Sequence, residues 1–196
     1  MPLKHYLMKA NKSLVLSLIL MVLVSALYRV MPNRPWGFAP QIAIGLFSGA
    51  LFVNDKKWAF ILPLVSMFLS DLCYEILYRN GMSDIMGFYD GQWVNYLLFA
   101  GISCFGFMIR KTRVVNVVLA SLAAPTTHFL ISNFLVWAVD RGYGLNRPRT
   151  FNGLLLTYGD ALPFYKNSLL GTLVFSAVLF GTYYLVKSSL EKKAAI

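Results

Sequence analysis

Acidic, amide, hydroxyl and imidazole side chains lie inside apolar stretches of this sequence. Asp71 and Glu75 are four residues apart, and so are His128 and Ser132. In a helix, residues at this spacing lie on the same face. Polar and charged groups in an apolar helix are unfavourable unless they pair, bond a neighbouring helix or line a wet cavity. The pattern therefore predicts either a polar binding pocket between helices or hydrogen bonds that hold helices together.

The segments that carry these residues are too apolar for a water-soluble protein of this size. The chain has 196 residues, of which 58% are hydrophobic and 13% are charged. Soluble domains have about 45–50% apolar and about 25% charged residues. Apolar stretches recur near the length of about 20 residues that crosses a bilayer as a helix. We therefore predict an all-α integral membrane protein in contact with the lipid bilayer, with residues 1–196 as one transmembrane domain.

Helix breakers and charged residues divide the chain into a bundle of about six transmembrane helices. The predicted spans are residues 13–30, 38–53, 58–78, 94–109, 114–139 and 168–187. The second and fourth spans are short. The connector at 140–167 has 28 residues, and connectors of that length are usually functional lids or binding loops. We therefore expect a long outer loop before the last helix, part of which folds back on the membrane as a short interfacial helix.

The distribution of Lys and Arg predicts the orientation of the bundle. Eleven of these residues fall on the side that holds both termini, and seven fall on the opposite side. Because short cytoplasmic segments carry an excess of Lys and Arg, both termini are predicted to be cytoplasmic, in an inner membrane. The basic residues lie between apolar segments, and no nucleic-acid-binding motif occurs, so no nucleic acid partner is expected.

With this orientation, the polar residues of the spans concentrate toward the outer side. We expect an outward-opening pocket between the third, fifth and sixth spans. Arg147 and Arg149 are expected to cap it over an anion, because Arg offers a planar fork of donors. The predominance of Arg on the outer side favours recognition of a solute there, and the alternative is that these arginines anchor helix ends at lipid head groups. Arg29 and Arg34, which are outside the candidate site, are the control pair for Arg147 and Arg149. The candidate substrate-binding residues are Gln41, Asp71, Glu75, His128, Ser132, Asn133, Trp137, Arg147, Arg149 and Asn167.

Motifs of catalysis and nucleotide hydrolysis are missing from the sequence. It contains no G-x-S-x-G, no H-E-x-x-H, no P-loop and no Cys/His spacing typical of a metal site. Cys73 and Cys104 both fall in predicted spans, where a thiol is usually a packing residue. We therefore expect no enzymatic activity, no metal and no cofactor.

Four stretches resemble an uncharacterised family of bacterial multi-pass membrane proteins described as transport proteins. They are residues 38–52 (FAPQIAIGLFSGALF), 59–72 (AFILPLVSMFLSDL), 128–137 (HFLISNFLVW) and 150–180, which includes GLLLTYGDALPFYKNSLLGTLVF. That family in turn is similar to the substrate-binding S components of energy-coupling-factor vitamin transporters. The resemblance implies about six helices, cytoplasmic termini and an outer substrate pocket. It also implies a transmembrane coupling subunit and ATPases as partners.

Small residues on the second span, including Gly45 and Gly49, allow close approach of another helix. They are expected to pack within the bundle, and the alternative is that they receive a partner subunit.

Sequence and resemblance together favour a membrane transport protein. The expected role is a substrate-binding subunit for uptake of a small polar or anionic solute, such as a vitamin or its precursor. Two alternatives from other classes stay open. A structural or accessory membrane subunit would pair off its polar groups and leave no cavity, whereas a membrane-embedded enzyme would contain a tight cluster of titratable groups.

Overall fold

Six helices make up most of the chain that the computed structural model describes, which is residues 12–109, 113–139 and 147–194. They are α1 (Lys12–Arg29), α2 (Gln41–Leu51), α3 (Lys56–Arg79), α4 (Trp93–Phe107), α5 (Val114–Val139) and α6 (Phe151–Ala194). No strand occurs in these ranges. The all-α prediction is confirmed, and the first five helices begin and end within three residues of the predicted spans.

The last helix differs from its prediction. It begins at Phe151 and has 44 residues, so the long outer loop expected at 140–167 is wrong for residues 151–167. Residues 140–146 of the connector lie outside the described residues. Gly159 and Pro163 suggested a loop, because both residues disfavour a helix interior. Contacts with α5, described below, hold this segment helical, since tertiary packing overrides local propensity.

The six helices differ in whether they are long and apolar enough to cross a membrane. Among the described residues, α3, α5 and α6 are long and apolar enough to do so. The described apolar part of α1, together with α2 and α4, is shorter. The 11 residues of α2 rise about 16 Å, against a hydrocarbon core about 30 Å thick. Residues 41–49 of α2 are all buried, so protein covers this short helix.

Large apolar side chains are exposed along the longer helices. Val115 and Leu119 on α5 and Val178 on α6 each have more than half of their surface exposed. Extended exposed apolar surface is typical of contact with a membrane or another protein. These helix faces are therefore compatible with a membrane protein.

The small residues of α2 allow its backbone to touch that of α4. A Cβ atom added at Gly49 would lie 2.3 Å from the carbonyl oxygen of Ser103, and one added at Gly106 would lie 2.4 Å from that of Leu46. Neither glycine has room for a side chain. The small-residue face of α2 therefore packs within the bundle, as the sequence predicted.

Replacing Gly49 by leucine is expected to destabilise the protein strongly. The new side chain would collide with the α4 backbone, and overpacking of this kind costs about 1–3 kcal/mol or more. Thermal unfolding in detergent, followed by intrinsic fluorescence, measures the effect. Gly101→Leu on α4 is the matched control, because a Cβ atom there meets nothing within 4 Å. Equal losses for the two variants would contradict the close α2–α4 contact.

The C-terminus of α3 directs the chain back across its own helix. Gly81 has a φ of +67°, and the amide of Met82 donates to the carbonyl of Leu77 at 2.9 Å. Together with the bond from the Gly81 amide to Tyr78, this pattern is a Schellman motif, which favours glycine. The returning segment touches α3 at Gly87, where an added Cβ would lie 2.0 Å from the carbonyl oxygen of Asp71.

Candidate functional site

A cavity of ≈ 600 Å³ lies at the end of the bundle where α1 and α3 end and where α2 and α4 begin. The second half of α5 and the first part of α6 complete its wall, and Tyr74 is the contribution of α3. The sequence predicted a pocket between the third, fifth and sixth spans. In the structure α4 and the start of α2 largely take the place of the third span. The volume is typical of small-molecule sites.

Four of the ten predicted site residues line this cavity. They are Gln41 at the start of α2 and His128, Ser132 and Asn133 on α5. The side-chain amide of Asn133 donates to the carbonyl of Phe129 at 2.8 Å. The spacing of the three α5 residues therefore places them on the cavity, and their contact with a solute stays a prediction.

Two of these residues present buried polar atoms without a partner. Gln41 is 3% exposed, and its Nε2 donates to the carbonyl oxygen of Ser25 at 3.4 Å. Its Oε1 and the Nε2 of His128 have no hydrogen-bond partner among the described residues. The His128 ring centroid lies 5.2 Å from that of Phe99. Because buried polar atoms are normally hydrogen-bonded, both atoms are candidates for contact with a bound solute.

Two arginines that the sequence analysis left outside the candidate site, Arg29 and Arg34, also line the cavity. Arg29, at the end of α1, bonds Asp71 and donates to the Ser70 hydroxyl at 2.6 Å. Arg34 donates through Nε to the carbonyl of Arg29 at 3.1 Å and through Nη1 to that of Phe38 at 2.8 Å. The structure thus places both guanidinium groups in the wall of the cavity, contrary to the expectation.

Asp71, a predicted site residue, lies outside the cavity lining and joins several helices. It is 2% exposed, and its Oδ1 accepts from Nη1 of Arg29. Its Oδ2 accepts from Nε2 of Gln92 and from the hydroxyl of Tyr96, each at 2.7 Å. These partners come from α1, the start of α4 and α4 itself. Asp71 therefore forms the interhelical bonds that were the alternative to a binding role.

Glu75 also lies outside the cavity lining, although it is one turn from Asp71. It accepts from Nε of Arg79 at 2.6 Å and from the backbone amide of Phe88 at 3.2 Å. Both partners are local to the end of α3 and to the segment that follows it. This carboxylate thus holds the α3–α4 connection in place.

Two further predicted site residues, Trp137 and Asn167, lie outside the cavity lining and donate to backbone carbonyls. The indole nitrogen of Trp137 donates to the carbonyl of Pro148 at 3.1 Å. The side-chain amide of Asn167 donates to the carbonyl of Trp36 at 2.8 Å. These bonds attach the segments before α2 and before α6 to the neighbouring helices.

The predicted arginine cap is not assembled in the structure. Nη2 of Arg147 is paired with Oδ2 of Asp160 at 2.5 Å, and it is Asp160 that lines the cavity. Arg149 is exposed and does not belong to the lining. The charge of Arg147 is therefore already balanced by a carboxylate, which weakens the argument for an anion at this point.

Aromatic side chains form much of the remaining wall, namely Trp36, Tyr89, Phe99, Phe129, Phe164 and Tyr165. The rings of Phe129 and Tyr165 stack with centroids 4.5 Å apart, and the Tyr165 hydroxyl lies 2.9 Å from that of Thr126. The Tyr158 hydroxyl donates to the carbonyl of Leu130 at 2.8 Å. These contacts hold the first part of α6 against α5, and the aromatic wall suits a planar ring.

Sequence reasoning missed several polar residues that line the cavity: Arg29, Arg34, Asp90, Asn95, Thr157 and Asp160. One signal was available. A carboxylate in an apolar helix needs a cation, and Arg29 ends the first span on the side where Asp71 lies. Asp90 and Asp160 gave no such signal, because the sequence placed both in connectors.

The fold and the cavity define a class: an α-helical protein with helices able to cross a membrane and, at one end of the bundle, a mainly apolar cavity with polar side chains in its wall. Residues 9–194 match the model of DUF6580, a family of unknown function, and the chain belongs to that family. No curated protein and no solved structure matches the chain.

Proposed function

We propose that this protein is a membrane-embedded, substrate-binding subunit for uptake of a small polar or anionic solute, similar to an S component. The observation that carries the proposal is a cavity of ≈ 600 Å³ whose wall contains buried polar atoms of Gln41 and His128 that have no hydrogen-bond partner in the described part of the chain. A purely structural subunit is expected to pair such groups within the protein, since unpaired buried polar atoms are costly.

The proposal places six membrane-embedded helices in a bacterial inner membrane with both termini in the cytoplasm. α3, α5 and α6 would cross the bilayer, and the shorter helices would be held among them. The cavity lies at the end of the bundle opposite Lys56, Lys57 and Arg113. Because cytoplasmic segments are enriched in Lys and Arg, the cavity would open on the outer side, where an imported solute arrives.

Uptake by such a subunit would require partner chains. The sequence contains no P-loop, so nucleotide hydrolysis would have to come from separate ATPases through a transmembrane coupling subunit. The protein by itself should bind its solute without nucleotide. The small-residue face of α2 is occupied by α4, so a coupling subunit would have to contact another surface.

Cysteine labelling from the two sides of the membrane tests the orientation. In a background lacking Cys73 and Cys104, Lys57→Cys should react only after the membrane is permeabilised. Met82→Cys should react in intact spheroplasts, since these exposed positions flank opposite ends of α3. Labelling of both cysteines from one side would contradict a membrane-crossing α3.

Native mass spectrometry of the purified protein tests the function. The protein, isolated in mild detergent without added nucleotide, should release one small molecule in near-stoichiometric amount. A release experiment that yields no small molecule, together with no thermal stabilisation by a panel of metabolites, would contradict a binding role. A solute that is chemically altered on incubation would instead indicate a membrane-embedded enzyme.

A further inference from the structure

The charged side chains around the cavity balance one another. Four of them line it: Arg29, Arg34, Asp90 and Asp160. Arg29 is paired with Asp71, and Asp160 is paired with Arg147. Arg34 and Asp90 form no ion pair with each other or with any other residue that the structure describes. Among the described residues, the cavity thus offers one cation and one carboxylate that have no ion-pair partner, Arg34 and Asp90.

Arg34 is held in a fixed position, although none of the described acidic residues pairs with it. Three backbone carbonyls accept from its guanidinium, those of Arg29, Pro35 and Phe38, at 2.8 to 3.3 Å. These bonds engage Nε and Nη1. A guanidinium that is already oriented by neutral acceptors keeps its charge available for a carboxylate, and it loses little side-chain freedom when it binds one.

Gln41 supplies a third, uncharged recognition element. The carbonyl oxygen of Ser25 can only accept a hydrogen bond, so it orients the amide nitrogen of Gln41 toward itself. Oε1 is then the unpartnered atom, and it is an acceptor. A solute that satisfies it must carry an N–H or O–H group, and the surrounding aromatic rings favour a donor at the edge of a planar ring.

We propose that the cavity binds a zwitterionic solute that carries a planar ring with an N–H or O–H donor. Its carboxylate would meet Arg34, its ammonium group would meet Asp90, and the ring donor would meet Gln41. This inference rests on the proposed function and specifies its substrate class. A zwitterion takes the place of the simple anion that was expected at Arg147, because the charge of Arg147 is neutralised by Asp160.

A set of four indole compounds, titrated into the purified full-length protein in detergent after extensive dialysis has removed any co-purified small molecule, tests the charge requirement. The probes are tryptophan, tryptamine without the carboxylate, indole-3-propionate without the ammonium group, and indole without either. Because Arg34 is partly buried, tryptophan should bind at least about tenfold more tightly than tryptamine. Asp90 is exposed, so the preference for tryptophan over indole-3-propionate should be smaller, about threefold. Replacing tryptophan by 3-benzothienylalanine, which lacks the N–H, should weaken binding by about fivefold or more.

Two variants test which residue binds each charged group of the solute. Arg34→Gln should abolish the preference for tryptophan over tryptamine, and Asp90→Asn should abolish the preference for tryptophan over indole-3-propionate. Arg113→Gln, at the opposite end of the bundle, and Asp84→Asn, an exposed residue outside the cavity lining, are the matched controls. Both controls should retain the order of affinities of the unchanged protein.

The outcomes separate this inference from the proposed function. Indole-3-propionate binding as tightly as tryptophan would overturn the zwitterion and indicate an anion. If no probe binds and a small molecule nevertheless co-purifies, the substrate class is wrong and the binding function stands. If no probe binds and nothing co-purifies, both proposals fail.

Discussion

Replacing Asp71 by alanine is expected to lower the free energy of unfolding by about 3 kcal/mol, the lower end of the range for breaking a buried ion pair. The lower end applies because the side chain of Arg29 is 25% exposed and retains some hydration. The substitution also removes the acceptor of Gln92 and Tyr96. Denaturant or thermal unfolding in detergent, followed by tyrosine and tryptophan fluorescence, measures the loss.

Glu75→Ala is the matched control for Asp71→Ala. The sequence treats the two carboxylates alike, but the Arg79 side chain that pairs with Glu75 is 76% exposed. An exposed pair of this kind contributes less than about 1 kcal/mol. A second variant that replaces both charges, Arg29→Met with Asp71→Leu, should recover part of the stability, because it leaves no unpaired buried charge. Similar losses for Asp71→Ala and Glu75→Ala would contradict the assignment of Asp71 as the interhelical residue.

Filling the cavity is expected to have the largest effect on solute binding. Ala161 lines the cavity on α6, and a tryptophan there would occupy space that the solute needs. Affinity for the co-purified solute should fall at least about a hundredfold, equivalent to about 2.7 kcal/mol. Occupancy by native mass spectrometry, with a competition titration for affinity, measures this loss.

The control for cavity filling lies on the same helix. Ala177 is exposed and outside the cavity lining, so Ala177→Trp adds the same side chain without occupying the site. This control should keep the occupancy of the unchanged protein, and both variants should unfold at similar temperatures. An Ala161→Trp protein that retains its solute at full occupancy would show that binding takes place elsewhere.

The structure changes which pair of arginines should affect solute binding when it is substituted. The sequence favours Arg147 and Arg149 as the binding pair, with Arg29 and Arg34 as the control pair. The lining of the cavity supports the opposite choice, because it contains Arg29 and Arg34 but neither Arg147 nor Arg149. Under the proposed function, changes at Arg34 should therefore affect binding more than changes at Arg149.

The sequence by itself determined the positions of five helices. Runs of apolar residues between Pro, Gly and charged clusters are local signals, and they locate α1 to α5 within three residues. The sequence also predicted that polar residues concentrate toward one end of the bundle. Helix direction alternates along the chain, so residues from distant segments can be placed at the same end. Four of the ten predicted site residues line the cavity for this reason.

Tertiary structure alone decided which polar residues pair and which face the cavity. Asp71 and Arg29 are 42 positions apart, and Arg147 and Asp160 meet across the start of α6. Neither ion pair can be predicted from the spacing of residues along the sequence. Each pair depends on how the helices are rotated relative to one another. The extension of α6 to Phe151 has the same origin. Packing of Tyr158 and Tyr165 on α5 stabilises a helix through Gly159 and Pro163, where local propensity alone favours a break.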